Sequence, residues 1–216
     1  MLKKSLLLSL SVLMIISCYP LGTFQGPDVL PVGEETLGVG LSWMSNIISL
    51  QDSSDGDETA FLADASLLFR RGVSNNMEIG IKFVGRPWAN GAILTDVKWL
   101  MVHEPVKVAV DFGMSYWTNT SIQSFLGYHP AIIVGGDNYF VVGQYNYVRS
   151  RMDVLKTQDL MLGRQFVMKS NDYVFTPLFG LHRDSSDSEN LFFSLGFGFS
   201  GPLDDWARPS FLFLIP

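Results

Sequence analysis

From Thr36 to Ser200 the chain alternates between large apolar and small or polar residues almost without interruption, and that rhythm constrains its fold more than any other feature. Leu37, Val39, Leu41 and Trp43 share one parity, against Gly38, Gly40 and Ser42 on the other. Phe61, Ala63, Ala65, Leu67 and Phe69 alternate with Asp64, Ser66 and Arg70; Met77, Ile79, Ile81 and Phe83 alternate with Glu78, Gly80 and Lys82. Ile93, Thr95, Val97 and Trp99 oppose Asp96 and Lys98. The fifth run is the cleanest, with Val106, Val108, Val110, Phe112, Met114 and Tyr116 set against Lys107, Asp111, Gly113 and Ser115. A period of two means strands with two unlike faces. Later runs repeat the pattern less tidily: "GYHPAIIVGG", "NYFVVGQYNYV", "TQDLMLGRQFVM", "DYVFTPLFGLH" and "LFFSLGFGFS". Ten candidate strands result. No long amphipathic helix interrupts them, although residues 152–162, "MDVLKTQDLML", also suit a short one.

The connections sort into two classes that alternate strictly. "RGVSNN", "VHEP", "GGDN" and "KSND" are short and rich in turn residues; "NIISLQDSSDGDET", "VGRPWANG", "YWTNTSIQSF", "VRSRMDVLK" and "HRDSSDSEN" are longer or more polar. A soluble sandwich has no physical reason to sort its loops this way. A membrane-spanning barrel does, because short turns gather at one end and long loops at the other. Composition agrees: 17% of residues are charged, against about 25% in ordinary soluble domains. Mid-strand glycines would only weaken a water-facing wall, yet they suit a narrow lumen. Aromatic residues near strand ends (Trp43, Phe69, Phe83, Trp99, Tyr116, Tyr139, Tyr147, Tyr173) suit interfacial girdles, and strands of about ten residues match a tilted bilayer crossing. The expected fold is therefore all-β, a single antiparallel up-and-down barrel of about ten strands (eight to twelve) that spans a membrane.

The polar faces of the second to fifth strands hold Asp64, Glu78, Asp96 and Asp111 against Arg70, Lys82, Lys98 and Lys107. Four acids facing four bases would neutralise a narrow lumen. A tight turn at residues 73–76 would set Arg70 directly across from Glu78 and Ser66 across from Lys82, with Asp64 diagonal to Lys82. The stretch "LLFRRGVSNNMEIGIKF", followed by "TDVKWLM", resembles the Arg-Gly-Val-Ser turn and the acidic-apolar-Gly strand of bacterial outer-membrane β-barrel proteins. The resemblance covers residues 36–200, by pattern more than by identity, and implies architecture rather than activity. Outer-membrane barrels usually end on an aromatic residue of the last strand. Here "GPLDDWARPSFLFLIP" follows Phe199, so residues 201–216 are either a tail or a closing strand.

The N-terminus carries an address. "MLKKSLLLSLSVLMIISC" joins basic Lys3 and Lys4 to an apolar run from Leu6 to Ile16, too short to span a bilayer as a helix, so residues 1–17 form an export signal. "IISC" resembles the lipobox of bacterial lipoproteins, which implies cleavage before Cys18 and its acylation, although Ile15 and Ile16 replace the commonest residues there. Tyr19 rather than Asp follows the cysteine, which in that family implies an outer-membrane destination. Residues 18–35, with Pro20, Pro27 and Pro31, read as an extended lipidated linker to the barrel of 36–200. With an even number of strands, both ends of the barrel chain then face the periplasm.

Chemistry is sparse. A net charge of −6 without basic clusters excludes nucleic acid as a partner. The single cysteine excludes an internal disulfide and a cysteine-based zinc site, and His103, His129 and His182 show no metal-ligand spacing. No cofactor is expected, and outer-membrane lipid is the expected partner. "DSSDGDE" (Asp52, Asp55, Asp57, Glu58) has calcium-type oxygens, but Ser54 breaks the EF-hand spacing, and a solvated loop accounts for it. "GGDN" (Gly135–Asn138) reads as a turn, since no helix follows to make it a phosphate loop. "LHRDSSDSEN" gathers His182, Asp184, Ser185, Ser186 and Glu189. Outer-membrane lipid A deacylases use such residue types, with His and Ser one residue apart in sequence. Here strand alternation sets His182 and Ser185 on opposite faces, so a hydrolase needs another serine on the wall of His182. The leading expectation is a small, non-catalytic outer-membrane lipoprotein barrel with a structural, surface-binding or narrow-conduit role. A soluble lipocalin-like carrier tethered through Cys18 is the first alternative, and an outer-membrane lipid hydrolase the second.

Overall fold

A computed structural model describes residues 25–46, 62–85, 90–119, 124–149, 154–168, 173–185 and 191–206. The strands are β1 (Glu35–Asn46), β2 (Leu62–Ser74), β3 (Met77–Gly85), β4 (Asn90–Val102), β5 (Lys107–Asn119), β6 (Ser124–Gly135), β7 (Tyr139–Arg149), β8 (Val154–Arg164), β9 (Phe166–Met168), β10 (Tyr173–Asp184) and β11 (Leu191–Pro202). One turn of helix, α1 (Leu203–Trp206), follows. Consecutive strands pair antiparallel, except that β8 and β9 both pair with β10, and β11 returns to pair with β1 from Thr36↔Pro202 to Asn46↔Phe192. The sheet is therefore a closed barrel. β9 prolongs β8 past Gln165 and pairs with β10 in the same register (Leu178↔Gly163, then Tyr173↔Met168), so the wall crosses ten times. Residues 154–162 are the first part of β8, and the short helix their sequence also suits does not form there. Closure of β11 on β1 needs none of residues 207–216, which lie outside the described residues.

The two faces of the wall fix its solvent. Val39, Leu41, Ile79, Ile81, Phe83, Phe112, Met114, Ile132, Leu160 and Leu162 all point outward and are exposed. Ser42, Asp64, Arg70, Glu78, Lys98, Asp111, His129, Asn146, Asp159 and Ser194 point inward and are buried. Apolar outside and polar inside is the arrangement of a barrel set in hydrocarbon. A lipocalin-like carrier needs the opposite, and its reading falls with this polarity. Aromatic residues frame the apolar belt: Trp99, Tyr116 and Tyr139 lie on it, and Trp43 meets Phe197 edge to face at 5.8 Å. Tyr173 is an exception among the girdle candidates, being buried in a 5.2 Å stack on Phe199.

One register differs from the sequence expectation. The β2–β3 turn closes on Asn75 and Asn76, and a bulge between Gly72 and Ser74 absorbs an extra residue. Arg70 therefore faces Gly80, and Leu68 faces Lys82, a slip of two that keeps every side chain on its expected face.

Residues 25–34 precede β1 without regular structure, yet they do not hang free of the barrel. Val32 bridges Gly72, and Gly33 N–H donates to the Gly72 carbonyl at 2.9 Å. Gly26 and Pro27 are buried, and Val29 packs on apolar side chains of the lumen. This segment enters the barrel at the end that carries the short turns.

A filled lumen as the candidate functional site

Three groups of inward side chains fill the lumen. The first lies on β2–β5 and centres on Arg70. Its Nε sits 2.7 Å from Glu78 Oε1, and Nη1 donates to Asp96 Oδ2 at 3.1 Å. Nη2 approaches Asp96 Oδ1 to 2.7 Å as a close ion pair, without hydrogen-bond alignment. Lys98 Nζ reaches the same Glu78 oxygen at 2.7 Å. Gly80 makes the cluster possible, because a Cβ at that position would stand 2.7 Å from Asp96 Oδ1 and 2.8 Å from Arg70 Nη1. Asp111 stands across from Lys98, and Lys82 lies in the field of Asp64 and Asp96. Of the eight charges predicted to line the lumen, Asp64, Arg70, Glu78, Lys82, Lys98 and Asp111 are buried inside it and Asp96 is nearly so. Lys107 is at the rim instead, bound to Asp137 at 2.7 Å and Asp28 at 2.8 Å.

The N-terminal segment docks on this charged wall. Leu30 N–H donates to Glu78 Oε2 at 2.8 Å, and Lys98 Nζ donates to the carbonyls of Gly26, at 3.1 Å, and Asp28. A buried ammonium thus satisfies backbone groups that would otherwise lose water. A cavity of about 320 Å³ survives beside the segment, lined by Thr36, Arg70, Glu78 and Ser200 among others. The second group is apolar and shares the short-turn half of the lumen: Leu100, Ala109, Ile133, Phe140, Val142, Met161 and Leu178 form one buried cluster, touched by Val29.

The third group is a chain of hydroxyl, imidazole, amide and carboxylate groups across β5–β11, in the half nearer the long loops. Ser115 Oγ lies 2.6 Å from His129 Nε2, and His129 Nδ1 lies 2.8 Å from Asn146 Oδ1. Asn146 Nδ2 donates to Asp159 Oδ2, and Thr157 Oγ1 donates to Asp159 Oδ1 at 3.0 Å. Asp159 Oδ1 is 3.1 Å from His182 Nδ1, whose Nε2 is 2.6 Å from Ser194 Oγ. The Asp159–His182 approach lacks hydrogen-bond alignment. Assigning protons to satisfy the chain gives Ser115 donating to His129, His129 to Asn146 and Asn146 to Asp159.

Two modules of the same design compose this chain. Gly127 precedes His129 by two and faces Ser115; Gly180 precedes His182 by two and faces Ser194. A Cβ at Gly127 would come within 2.8 Å of His129 Nε2, and one at Gly180 within 2.8 Å of His182 Nε2. Each serine–histidine contact therefore sits over a bare glycine. His182 thus has a serine on its own wall, and it is Ser194 rather than Ser185, whose hydroxyl donates to the Lys156 carbonyl at 2.8 Å. Asp184 points inward and is buried, while Ser186 and Glu189 lie outside the described residues, as do Cys18 and the acidic stretch 52–58. His103 is exposed beside a short turn, and Gly135–Asn138 span another. The sequence signal for the missed serines was faint: a Gly-x-His repeated once, with partners many residues away.

A serine on a histidine on an acid or amide is the constellation of nucleophilic hydrolases. Neither the mouth cavity nor the outer-face crevice beside Phe112 and Ile132 is lined by Ser115 or Ser194, and both serines are buried in the network. Among the described residues no cluster of His, Cys, Asp and Glu has metal-binding geometry.

No protein-family model matches the chain, and no curated protein sequence does. Solved structures resemble it in architecture. An outer membrane channel from Pseudomonas putida aligns over 82% of this chain and 97% of its own, with 8% identity and a TM-score of 0.47. The KdgM porin, in complex with disordered oligogalacturonate, covers 74% and 98% at 10% identity and a TM-score of 0.40. Neisserial surface protein A covers 77% and 96% at 8% identity and a TM-score of 0.35.

Proposed function

We propose that this chain is a small, closed, non-catalytic barrel of the bacterial outer membrane, anchored by an acyl group on Cys18, that acts through its outer surface and loops rather than as a conduit. The observation that carries the reading is the filled lumen. The charged group, the apolar cluster and residues 25–34 close the short-turn half, and the serine–histidine chain occupies the other half. In a barrel of this width side chains suffice to fill the interior. Chain direction puts residue 25 at the short-turn end, and short turns face the periplasm in outer-membrane barrels. An acylated Cys18 a few residues earlier then reaches the inner leaflet of the membrane that the barrel crosses.

The reading predicts no stable conductance steps from the purified protein in planar bilayers, and an open-channel current would sink it. The non-catalytic part has its own test. Fluorophosphonate probes should leave Ser115 and Ser194 unmodified in the folded protein, whereas modification of either would make the hydrolase reading the better one. Labelling with a radioactive fatty acid should follow Cys18 and vanish in Cys18→Ala.

A further inference from the structure

The outward face carries few charges, and its two ends treat them differently. At the short-turn end the protein itself provides for each outward strand cation. Arg71 pairs with Glu35 at 3.3 Å, and the Arg164 guanidinium lies 4.7 Å over the Tyr139 ring and 4.3 Å over that of Phe166. At the long-loop end the outward charges with described side chains are Arg149 on β7, Lys156 on β8 and Arg183 on β10, all exposed. Among the described residues none of these three has a carboxylate within ion-pair reach. The other strands present uncharged residues there, among them Trp43, Phe83, Tyr116 and Leu126.

The register makes the three cations one patch. Lys156 stands directly across from Tyr147 on β7, with Arg149 two residues further along that strand. On its other side Ser185 N–H donates to the Lys156 carbonyl at 2.9 Å, and Arg183 lies two residues before Ser185, across from Gln158. Arg149 and Arg183 are therefore both diagonal neighbours of Lys156, about 7–8 Å away and within reach of long side chains. The polar groups between them, the Tyr147 phenol and the Gln158 amide, can donate as well. Like charges at this spacing repel, so the row is costly to hold until an anion comes between its members. Towards mid-membrane from the row, Leu160 and Leu162 on β8 and Phe179 on β10 point outward and are exposed.

A row of cations above an apolar wall fits an anion that brings its own acyl chains. Guanidinium forks match phosphate oxygens in pairs, and an ammonium between them adds a point charge. A phosphodiester offers one negative charge to three cations, whereas a phosphomonoester offers about 1.5–2. We propose that Arg149, Lys156 and Arg183 form a lipid-phosphate site, which holds the phosphomonoester headgroup of a membrane lipid in the leaflet beside the long loops, its chains lying on Leu160, Leu162 and Phe179. The inference rests on the membrane-spanning reading above and gives the outer surface a ligand; in the orientation proposed there, the lipid belongs to the outer leaflet.

Native mass spectrometry of the full-length folded protein in detergent tests this, with phosphatidic acid and phosphatidylglycerol of identical chains as probes. Phosphatidic acid should bind at least about tenfold more tightly. Arg149→Gln/Lys156→Gln/Arg183→Gln should erase that preference while the heat-modifiable gel shift of the folded barrel stays intact. Arg71→Gln/Arg164→Gln, which removes charge at the other end, should keep it. Excess inorganic phosphate should not displace the lipid, because it has no chains to lay on the wall. Equal affinity for the two lipids, a preference that survives the triple variant, an equal loss in the Arg71/Arg164 variant, or displacement by inorganic phosphate overturns the proposal. Should the triple variant not fold, Lys156→Gln alone, at the centre of the row, should weaken phosphatidic acid binding at least about threefold, and an unchanged affinity there overturns it equally. Binding in detergent depends neither on conductance nor on Cys18, so failure of this site is distinguishable from failure of the functional reading.

Discussion

The β2–β5 wall and the β5–β11 wall solve the same problem in different ways. Both bury polar side chains inside a tube surrounded by hydrocarbon. The first wall does it with full charges: Arg70 serves Glu78 and Asp96, and Lys98 serves Glu78, all through contacts of 2.7 Å between strands close in sequence. The second wall does it mostly with groups that both donate and accept, arranged around one carboxylate, Asp159, and passed along from Ser115 to Ser194 over six strands. A buried charge without its partner is expensive, so the first wall is tightly coupled and brittle. A neutral hydroxyl or amide without its partner costs less, so the second wall is longer and more tolerant.

The largest expected effect comes from breaking the charged wall at its shared anion. Glu78→Ala leaves Arg70 and Lys98 facing each other with one carboxylate fewer and removes the acceptor of Leu30 N–H. A loss of about 3–5 kcal/mol is expected, measured by urea unfolding in lipid vesicles. The same variant should loosen the N-terminal segment and expose residues 25–34 to protease added at the short-turn end. A stability change below about 1 kcal/mol would show that the wall is not coupled as drawn.

Breaking the second wall at its centre should cost less. Asn146→Leu orphans His129 Nδ1 and one oxygen of Asp159 together. The expected loss is about 2 kcal/mol, because Asp159 keeps its Thr157 donor and the other orphaned group is a neutral imidazole nitrogen. Gly127→Ala attacks the same wall sterically, since its new Cβ falls on the Ser115–His129 contact. It should resemble Asn146→Leu in size, and Gly143→Leu, with open space around its Cβ, should not.

The comparison also explains what was legible before any coordinates. Alternation and loop sorting were local signals, and they sufficed for the barrel, its ten crossings and its polar interior. The charges on β2–β5 were legible because their partners lie on adjacent strands joined by short turns, where parity alone puts them on one face. Even there the register slipped by two, because the bulge between Gly72 and Ser74 leaves no mark in the pattern. The serine–histidine chain was not legible. His182 meets Ser194 across a loop and Asp159 across another, and no periodicity says which serine among several stands opposite which histidine. The docking of residues 25–34 was invisible for a different reason. Its bonds to Gly72 and Glu78 and most of those to Lys98 run through backbone carbonyls and N–H groups, which every sequence has.

Double-mutant cycles sharpen the contrast at smaller scale. Arg70→Met with Glu78→Gln should show a coupling energy of about 0.5–3 kcal/mol, because one member's loss is relieved by the other's. Ser115→Ala with Ser194→Ala should add to within about 0.5 kcal/mol, since the two serines share no partner and sit at opposite ends of the chain. Strong coupling between the serines would mean that the second wall behaves as a single rigid unit like the first, and the distinction between them would fail.

The smallest effect belongs to the one member of the predicted charge set that lies at the rim. Lys107 holds Asp137, a fully exposed carboxylate in the β6–β7 turn, and its hydrogen bond and charge lower the Asp137 pKa below the ordinary carboxylate value. A lowered folded-state pKa stabilises the fold above the unfolded value and loses that contribution as pH falls through the folded one. Solvent screens this pair, so the contribution is slight. Asp137→Asn should therefore leave the unfolding midpoint at neutral pH within experimental error and slightly flatten its fall through the carboxylate range. In Glu78→Ala the lost stability should persist at neutral pH, because the missing anion there is shared by two buried cations rather than by water. A large neutral-pH defect in Asp137→Asn would place Lys107 with the charged wall after all.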